Sequence, residues 1–125
     1  MTRDELIRYA AERFSTDPEY PWDDENFILR HSGNRKWFAL LMDVPREKLG
    51  LSGAEHVDVI NLKCDAMSGA LRQQPGILPA YHMHRDSWVT VLLDGTVPIE
   101  DILPLIDLSY QLTSAKPKRS KKIKD

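Results

Sequence analysis

The sequence predicts an α+β fold of two layers, an antiparallel sheet packed against N- and C-terminal helices. Three observations carry that prediction. Apolar residues recur at helical spacing in the first fourteen residues and again after Pro98, the period falls to two in the Val- and Ile-rich runs between them, and short turn signals separate those runs. With 125 residues the chain makes one domain, able to bury roughly two-thirds of its unfolded surface. Its 42% hydrophobic and 29% charged content is that of an ordinary globular protein.

The first helix opens on Thr2 and Glu5, a capping box in which each side chain satisfies an exposed amide of the first turn. Leu6, Ala10 and Phe14, with Ile7 and Ala11, form its apolar stripe, and Asp17-Pro18 disfavours continuation beyond residues 14–16. The connector DPEYPWDDEN follows with five acids among residues 17–25, and Tyr20 and Trp22 are expected to pin it to the body. Next, FILRHS and RKWFALLM flank Gly33-Asn34, a pair that tolerates the positive φ of a two-residue hairpin turn. Such a turn pairs Arg30 with Trp37, Leu29 with Phe38 and Ile28 with Ala39. Phe27, Leu29, Phe38, Leu40 and Met42 then share the core face, and Arg30 can stack on Trp37.

VPREKLGLSG reads as a loop or short extra strand and HVDVINLK (56–63) as a strand. Asp65 is placed to cap a short helix reaching Gln73, with Met67 and Leu71 facing inward and Pro75-Gly76 ending it. Residues 84–87 read as a turn, which puts His82 and His84 on the incoming arm of a hairpin whose outgoing strand is WVTVLL. The closing helix presents Ile99, Ile102, Leu103, Ile106, Tyr110 and Thr113, and Pro104 within it predicts a kink or an irregular first turn. Residues 1–115 form the domain, and 116–125 a basic tail expected to be disordered.

One cysteine, Cys64, excludes an internal disulfide and a multi-thiolate zinc site within one chain. The charged N-terminus shows no apolar signal segment, and no apolar run approaches the ~18 residues of a membrane span. The expectation is a cytoplasmic protein, taken as a monomer, without a membrane partner. The formal charge of −2 is uneven: setting aside six Lys/Arg and one Asp in 116–125 leaves 11 basic and 18 acidic residues, a body charge of −7. A basic arm on an acidic body suits contact with an anionic partner, or a solvated tail.

His82 and His84, two apart on a strand, could share a metal, but zinc requires at least three protein ligands, and His31 and His56 follow no motif with them. No nucleophile elbow, P-loop or zinc-protease helix occurs, so no catalytic residue, cofactor or metal is assigned and an enzyme is not expected. Cys64 reads as a small core residue. Nucleic-acid contact has more support, since cations sit at both predicted hairpin tips (Arg35 and Lys36, then His84 and Arg85) with Trp37, Tyr81 and Trp88 nearby.

GNRKWFALLMDVPREKLGL, VDVINLKCD, GILPAYHMHRDSWVTVLLDG and DLSYQLT together resemble the MmcQ/YjbR-like family, from about Tyr20 to Thr113. The resemblance implies a CyaY-like (frataxin-like) fold and DNA binding through a double wing. It carries Arg35-Lys36-Trp37 onto the first wing and the segment from His82 through His84 and Arg85 onto the second. The sequence departs from the pattern where His84-Arg85 stand in place of Asn-Lys and Ala66 in place of Pro. DNA is therefore the expected partner. The alternatives are a small-molecule or protein-binding module built on Arg30 and Trp37 or on the His82–Trp88 region, and, third, metal binding.

Overall fold

The structure is a computed structural model, and it describes residues 1–114. The basic segment 116–125, expected to be disordered, lies outside the described residues. Helix α1 (Arg3–Phe14) begins as predicted: the Thr2 hydroxyl accepts from the Glu5 amide and the Glu5 carboxylate accepts from the Thr2 amide. It ends at Ser15, which adopts a left-handed φ of 53°. Leu6 and Ala10 are buried with Ile7 and Phe14 packed beside them, whereas Ala11 faces solvent.

Five strands follow: β1 (Phe27–Arg30), β2 (Trp37–Pro45), β3 (His56–Lys63), β4 (Ile77–Pro79) and β5 (Trp88–Leu92). All pairs are antiparallel, in the order β1-β2-β3-β5-β4. Between β3 and β4 lies the short helix α2 (Ser68–Leu71), and α3 (Ile99–Thr113) is the last element among the described residues. Both long helices pack on one sheet face, burying Phe27, Leu29, Phe38, Leu41, Ile60, Leu62, Ile102 and Ile106 between the layers. The architecture is the predicted α+β two-layer sandwich.

Several local expectations are corrected. The first hairpin turns through four residues, Ser32–Arg35, rather than two. The His31 amide donates to the Lys36 carbonyl and the Arg35 amide to the His31 carbonyl, and the positive φ (66°) falls on Arg35, not on Gly33 or Asn34. Arg30 does oppose Trp37, but a bulge follows at once: Leu29 pairs with Ala39 and Ile28 with Leu40. Because side chains alternate with a period of two, one extra residue reverses every later assignment. Leu40 and Met42 therefore lie on the opposite face from Phe27 and Leu29, in a second cluster with Ile28, Val44, Val57, Val59 and Leu92. Among the described residues no α-helix covers that face. Leu49 and Leu51, from the loop after β2, and Tyr81 and Met83, from the loop before β5, pack on it instead.

Further along, Asp65 makes no capping bond and adopts a φ of 48°, Met67 is exposed, and only Leu71 of the expected pair turns inward. Strand β4 is Ile77–Pro79, so Ala80–Ser87 is an eight-residue loop and neither histidine lies on a strand. Helix α3 runs through Pro104, which is exposed and removes the amide that would bond the Glu100 carbonyl. Ile99 is likewise exposed, while Ser109, which the sequence reading passed over, is wholly buried.

Candidate functional site

Strands β2 and β5 both run antiparallel to β3, so their N-terminal ends lie at the same end of the sheet. The loops that precede them, 31–36 and 80–87, therefore share that end. With neighbouring strands about 4.8 Å apart, the two loops rise from roots roughly 10 Å apart. Each loop is held by buried polar groups. In the first, the Thr113 hydroxyl donates to the Ser109 carbonyl (2.8 Å). Its lone pairs are thus free to accept from His31 Nε2 at 2.8 Å, and the Asn34 amide donates to the Thr113 carbonyl (2.8 Å). The His31 ring lies 4.2 Å from Tyr110, which stacks on Phe14 at 4.0 Å. Burial lowers the pKa of His31, a bond to the Tyr110 backbone opposes that, and Lys36 adds to it.

The second loop hangs from a cross-strand pair. Asn61 on β3 opposes Thr90 on β5, and both are completely buried. Thr90 Oγ1 donates to Asn61 Oδ1 (2.5 Å) and accepts the Tyr81 amide (2.8 Å), while Asn61 Nδ2 donates to the Tyr81 carbonyl (2.8 Å). Both backbone polar groups of Tyr81 are thereby fixed, and the chain turns over the sheet at His82 with a φ of 63°. At the far side of the loop the Cys64 and Asp65 amides donate to the Ser87 carbonyl (2.7 and 2.9 Å).

This framework distributes the sequence-predicted residues over three places. Arg35 and Lys36 are exposed at the first loop, with Arg35 beside a depression shared with Thr16–Glu19, Arg30 and Ser32. Arg85 is exposed on the second loop and borders a different depression with Lys48, Gly50 and Tyr81. Neither arginine nor Lys36 has an acidic partner among the described residues. Trp37 and His82 meet at a third place, a hollow of about 370 Å³ on the helix-free face, with Trp22, Asp24, Leu40, Met42 and Met83. His84 sits in the turn, where its Nδ1 accepts the Asp86 amide at 3.3 Å.

Arg30 is engaged by Glu19 at 2.7 Å, and it is Trp22 that lies against Trp37, edge to face, with ring centres 6.0 Å apart. The sequence reading missed Lys48 and the Trp22 wall of the hollow. Both come from loops folded across the sheet, and neither the spacing nor the periodicity of the sequence encodes that folding. Cys64 is buried, and burial raises its thiol pKa, as suits a core residue. Among the described residues no group of three His, Cys, Asp or Glu side chains could hold a metal ion, and no helix is long and apolar enough to cross a membrane.

A group of acids gathers at the other end of the sheet. Asp23, Asp24 and Glu25 precede β1, and Asp43 opposes Asp58 across β2 and β3. Arg3 forms an ion pair with Asp58 (3.0 Å) and His56 bonds Asp43 (3.0 Å). At the end carrying the two loops, Glu19 is paired with Arg30 and Asp65 with Lys63, while Asp17 and Asp86 form no ion pair among the described residues.

The model of the YjbR family matches residues 13–112. This chain belongs to the YjbR family. The uncharacterized protein YyaQ of Bacillus subtilis (strain 168) is 41% identical over 116 residues, covering 90% of this chain and 98% of that one. YjbR of Escherichia coli (strain K12) is 37% identical over 59 residues, 46% of this chain and 50% of that one. Among solved structures, a Pseudomonas syringae protein superposes with a TM-score of 0.88 at 47% identity, covering 91% of this chain and 100% of that one. A Deinococcus radiodurans protein superposes with a TM-score of 0.71 at 29% identity, covering 96% and 86%. The segments that carry the YjbR resemblance contain Asn61, Tyr81 and Thr90 of one polar anchor and Ser109 and Thr113 of the other, whose His31 lies just before the first segment. These anchors hold the loops in place, while the exposed cations sit on the loops themselves.

Proposed function

We propose that this protein binds DNA through the end of the sheet that carries the two loops. Arg35 and Lys36 on the first loop and Arg85 on the second contact phosphates, with Lys48 beside Arg85. The observation that carries this reading is the polarity of the molecule. Among the described residues, Arg35, Lys36 and Arg85 stand without ion-pair partners at one end, where Glu19 and Asp65 are paired and Asp17 and Asp86 are not. Asp23, Asp24, Glu25, Asp43 and Asp58 gather at the other. Phosphate neutralisation supplies nearly all non-specific affinity, so the placement of charge matters more than its sum. Two further features support the reading. The described chain ends at Ser114, beside Asn34 of the first loop, and the sequence that follows adds six Lys/Arg. The loops are also firmly rooted, which lowers the ordering cost of a contact. Trp37 faces the hollow beside Trp22, away from the exposed cations, and is assigned no contact with DNA. The proposed role is binding, and the one thiol, buried and with its pKa raised, is assigned no part in it.

Fluorescence anisotropy with a labelled duplex tests the proposal by comparing the full chain, residues 1–115 and Arg35→Ala/Lys36→Ala at several salt concentrations. Each lost phosphate contact lowers the slope of log K against log salt by about 0.9, so the double substitution should lower it by about 2. If the full chain shows no salt-dependent binding tighter than ~10⁻⁴ M, the proposal is wrong. If binding is lost with residues 116–125 but untouched by the double substitution, the interaction is generic polycation behaviour and the loops are not the interface.

A further inference from the structure

We propose that the hollow on the helix-free sheet face is a binding site for a small organic cation with an apolar or aromatic body. Its volume, about 370 Å³, falls within the range of small-molecule sites. Leu40 and Met42 form the floor, and they face this side only because the bulge in β2 reverses their direction. Trp37 and Trp22 make two walls standing at 88° to one another, so a guest in the corner meets aromatic surface on two sides. Met83 and His82 form the lid side, delivered there by the buried Asn61–Thr90 clamp on Tyr81 and by the left-handed backbone at His82. A residue held in that sparsely populated conformation by a buried network is a preorganised element.

The charge of the guest follows from the lining. Asp24 is its one carboxylate, no Lys or Arg borders it, and Glu25 and Asp43 stand with Asp24 in the adjoining depression. Anions are therefore disfavoured, while a cation meets the negative faces of two indoles and a carboxylate at once. Soft, polarisable methionines accommodate guests of differing shape. This site does not depend on the DNA reading, since the cations invoked there lie outside the hollow.

The test uses the full chain and the indole N–H signals of its three tryptophans in nuclear magnetic resonance. The probes are benzyltrimethylammonium, neutral benzyl alcohol and anionic phenylacetate. The expected result is that benzyltrimethylammonium shifts the Trp22 and Trp37 signals, leaves Trp88 unmoved, and binds several-fold tighter than benzyl alcohol, with phenylacetate weakest. Trp22 is 41% exposed, so its replacement leaves the core intact. Trp22→Leu keeps apolar volume but removes the π face, and should weaken the cation about 2–5-fold without weakening benzyl alcohol. Asp24→Asn should weaken the cation alone, and added salt should do the same. Equal affinity for the three probes overturns the proposal. So does an unchanged preference in both variants, or the absence of any Trp22 or Trp37 shift at about 10 mM probe, beyond the millimolar range of weak sites.

Discussion

Thr90→Val removes one oxygen from the centre of the sheet while keeping the shape of the side chain. The hydroxyl is fully buried, donates to Asn61 Oδ1 and accepts the Tyr81 amide. Valine leaves no cavity of consequence, so the cost is that of two stranded polar groups. Each buried group without a partner costs about 1–3 kcal/mol. The remaining Asn61–Tyr81 carbonyl bond keeps the geometry close, which places the expected loss at about 2–4 kcal/mol. That is a large share of the roughly 5–15 kcal/mol that holds a domain together. Urea titration should show a lower midpoint at unchanged slope, and melting should fall by about 8–15 °C. Amide exchange should quicken at residues 81–85 more than in α1, because the clamp fastens that loop in particular. In combination with Asn61→Leu, the losses should be smaller than additive, as the two side chains satisfy one another. A loss below about 0.5 kcal/mol, the scale of surface substitutions, would refute the argument that this network is dry and fully used.

Ser109→Ala should cost a similar 2–4 kcal/mol in the same titration, because the buried hydroxyl donates to the Phe38 carbonyl (2.6 Å) and accepts the Lys63 amide (2.9 Å), joining α3 to two strands. Stability should fall as pH drops below about 6.5, the ordinary histidine value, since His31 has its pKa lowered in the folded chain while the unfolded chain takes up the proton. Its contribution is full above that pH and lost on acidification, and His31→Phe should flatten this part of a stability–pH profile. At the alkaline end Tyr9, pushed up to about 12 by burial and by its bond to Asp107, contributes stability that is full below pH ~10 and lost as pH rises through the folded value. Tyr9→Phe should remove that loss. Gly76→Ala should destabilise measurably in a thermal melt: its φ is +89°, and a Cβ would lie 2.6 Å from Val97 Cγ2 and 2.9 Å from Thr96 Cγ2.

Elements governed by local chemistry were legible in the sequence. The capping box of α1, strand β3, strand β5 and the closing helix all rest on patterns that a few adjacent residues complete. Even the Arg30–Trp37 pairing was readable, because it lies next to the turn. One residue later the reading failed, since a bulge depends on how Phe38 and Ala39 both reach the helix-side core and not on the turn sequence. That single residue decided which face Leu40 and Met42 occupy, and so whether a hollow exists at all. The exposed loop cations were visible as cations, while Lys48 was not seen as the neighbour of Arg85, because 46–55 folds over the sheet through contacts remote in sequence.

The sequence by itself determined the two-layer α+β architecture, the identity of its helices and the chemistry of the loop residues, because periodicity, capping and turn propensity act over a few residues. Only the tertiary structure decided how that chemistry is arranged. It separated the acidic end from the basic one, gathered Trp22, Trp37 and His82 around one hollow, and turned the Tyr81–Trp88 segment from a histidine hairpin into a clamped loop. Those outcomes depend on strand register and on buried hydrogen bonds between residues as far apart as His31 and Thr113. No short stretch of sequence contains both partners.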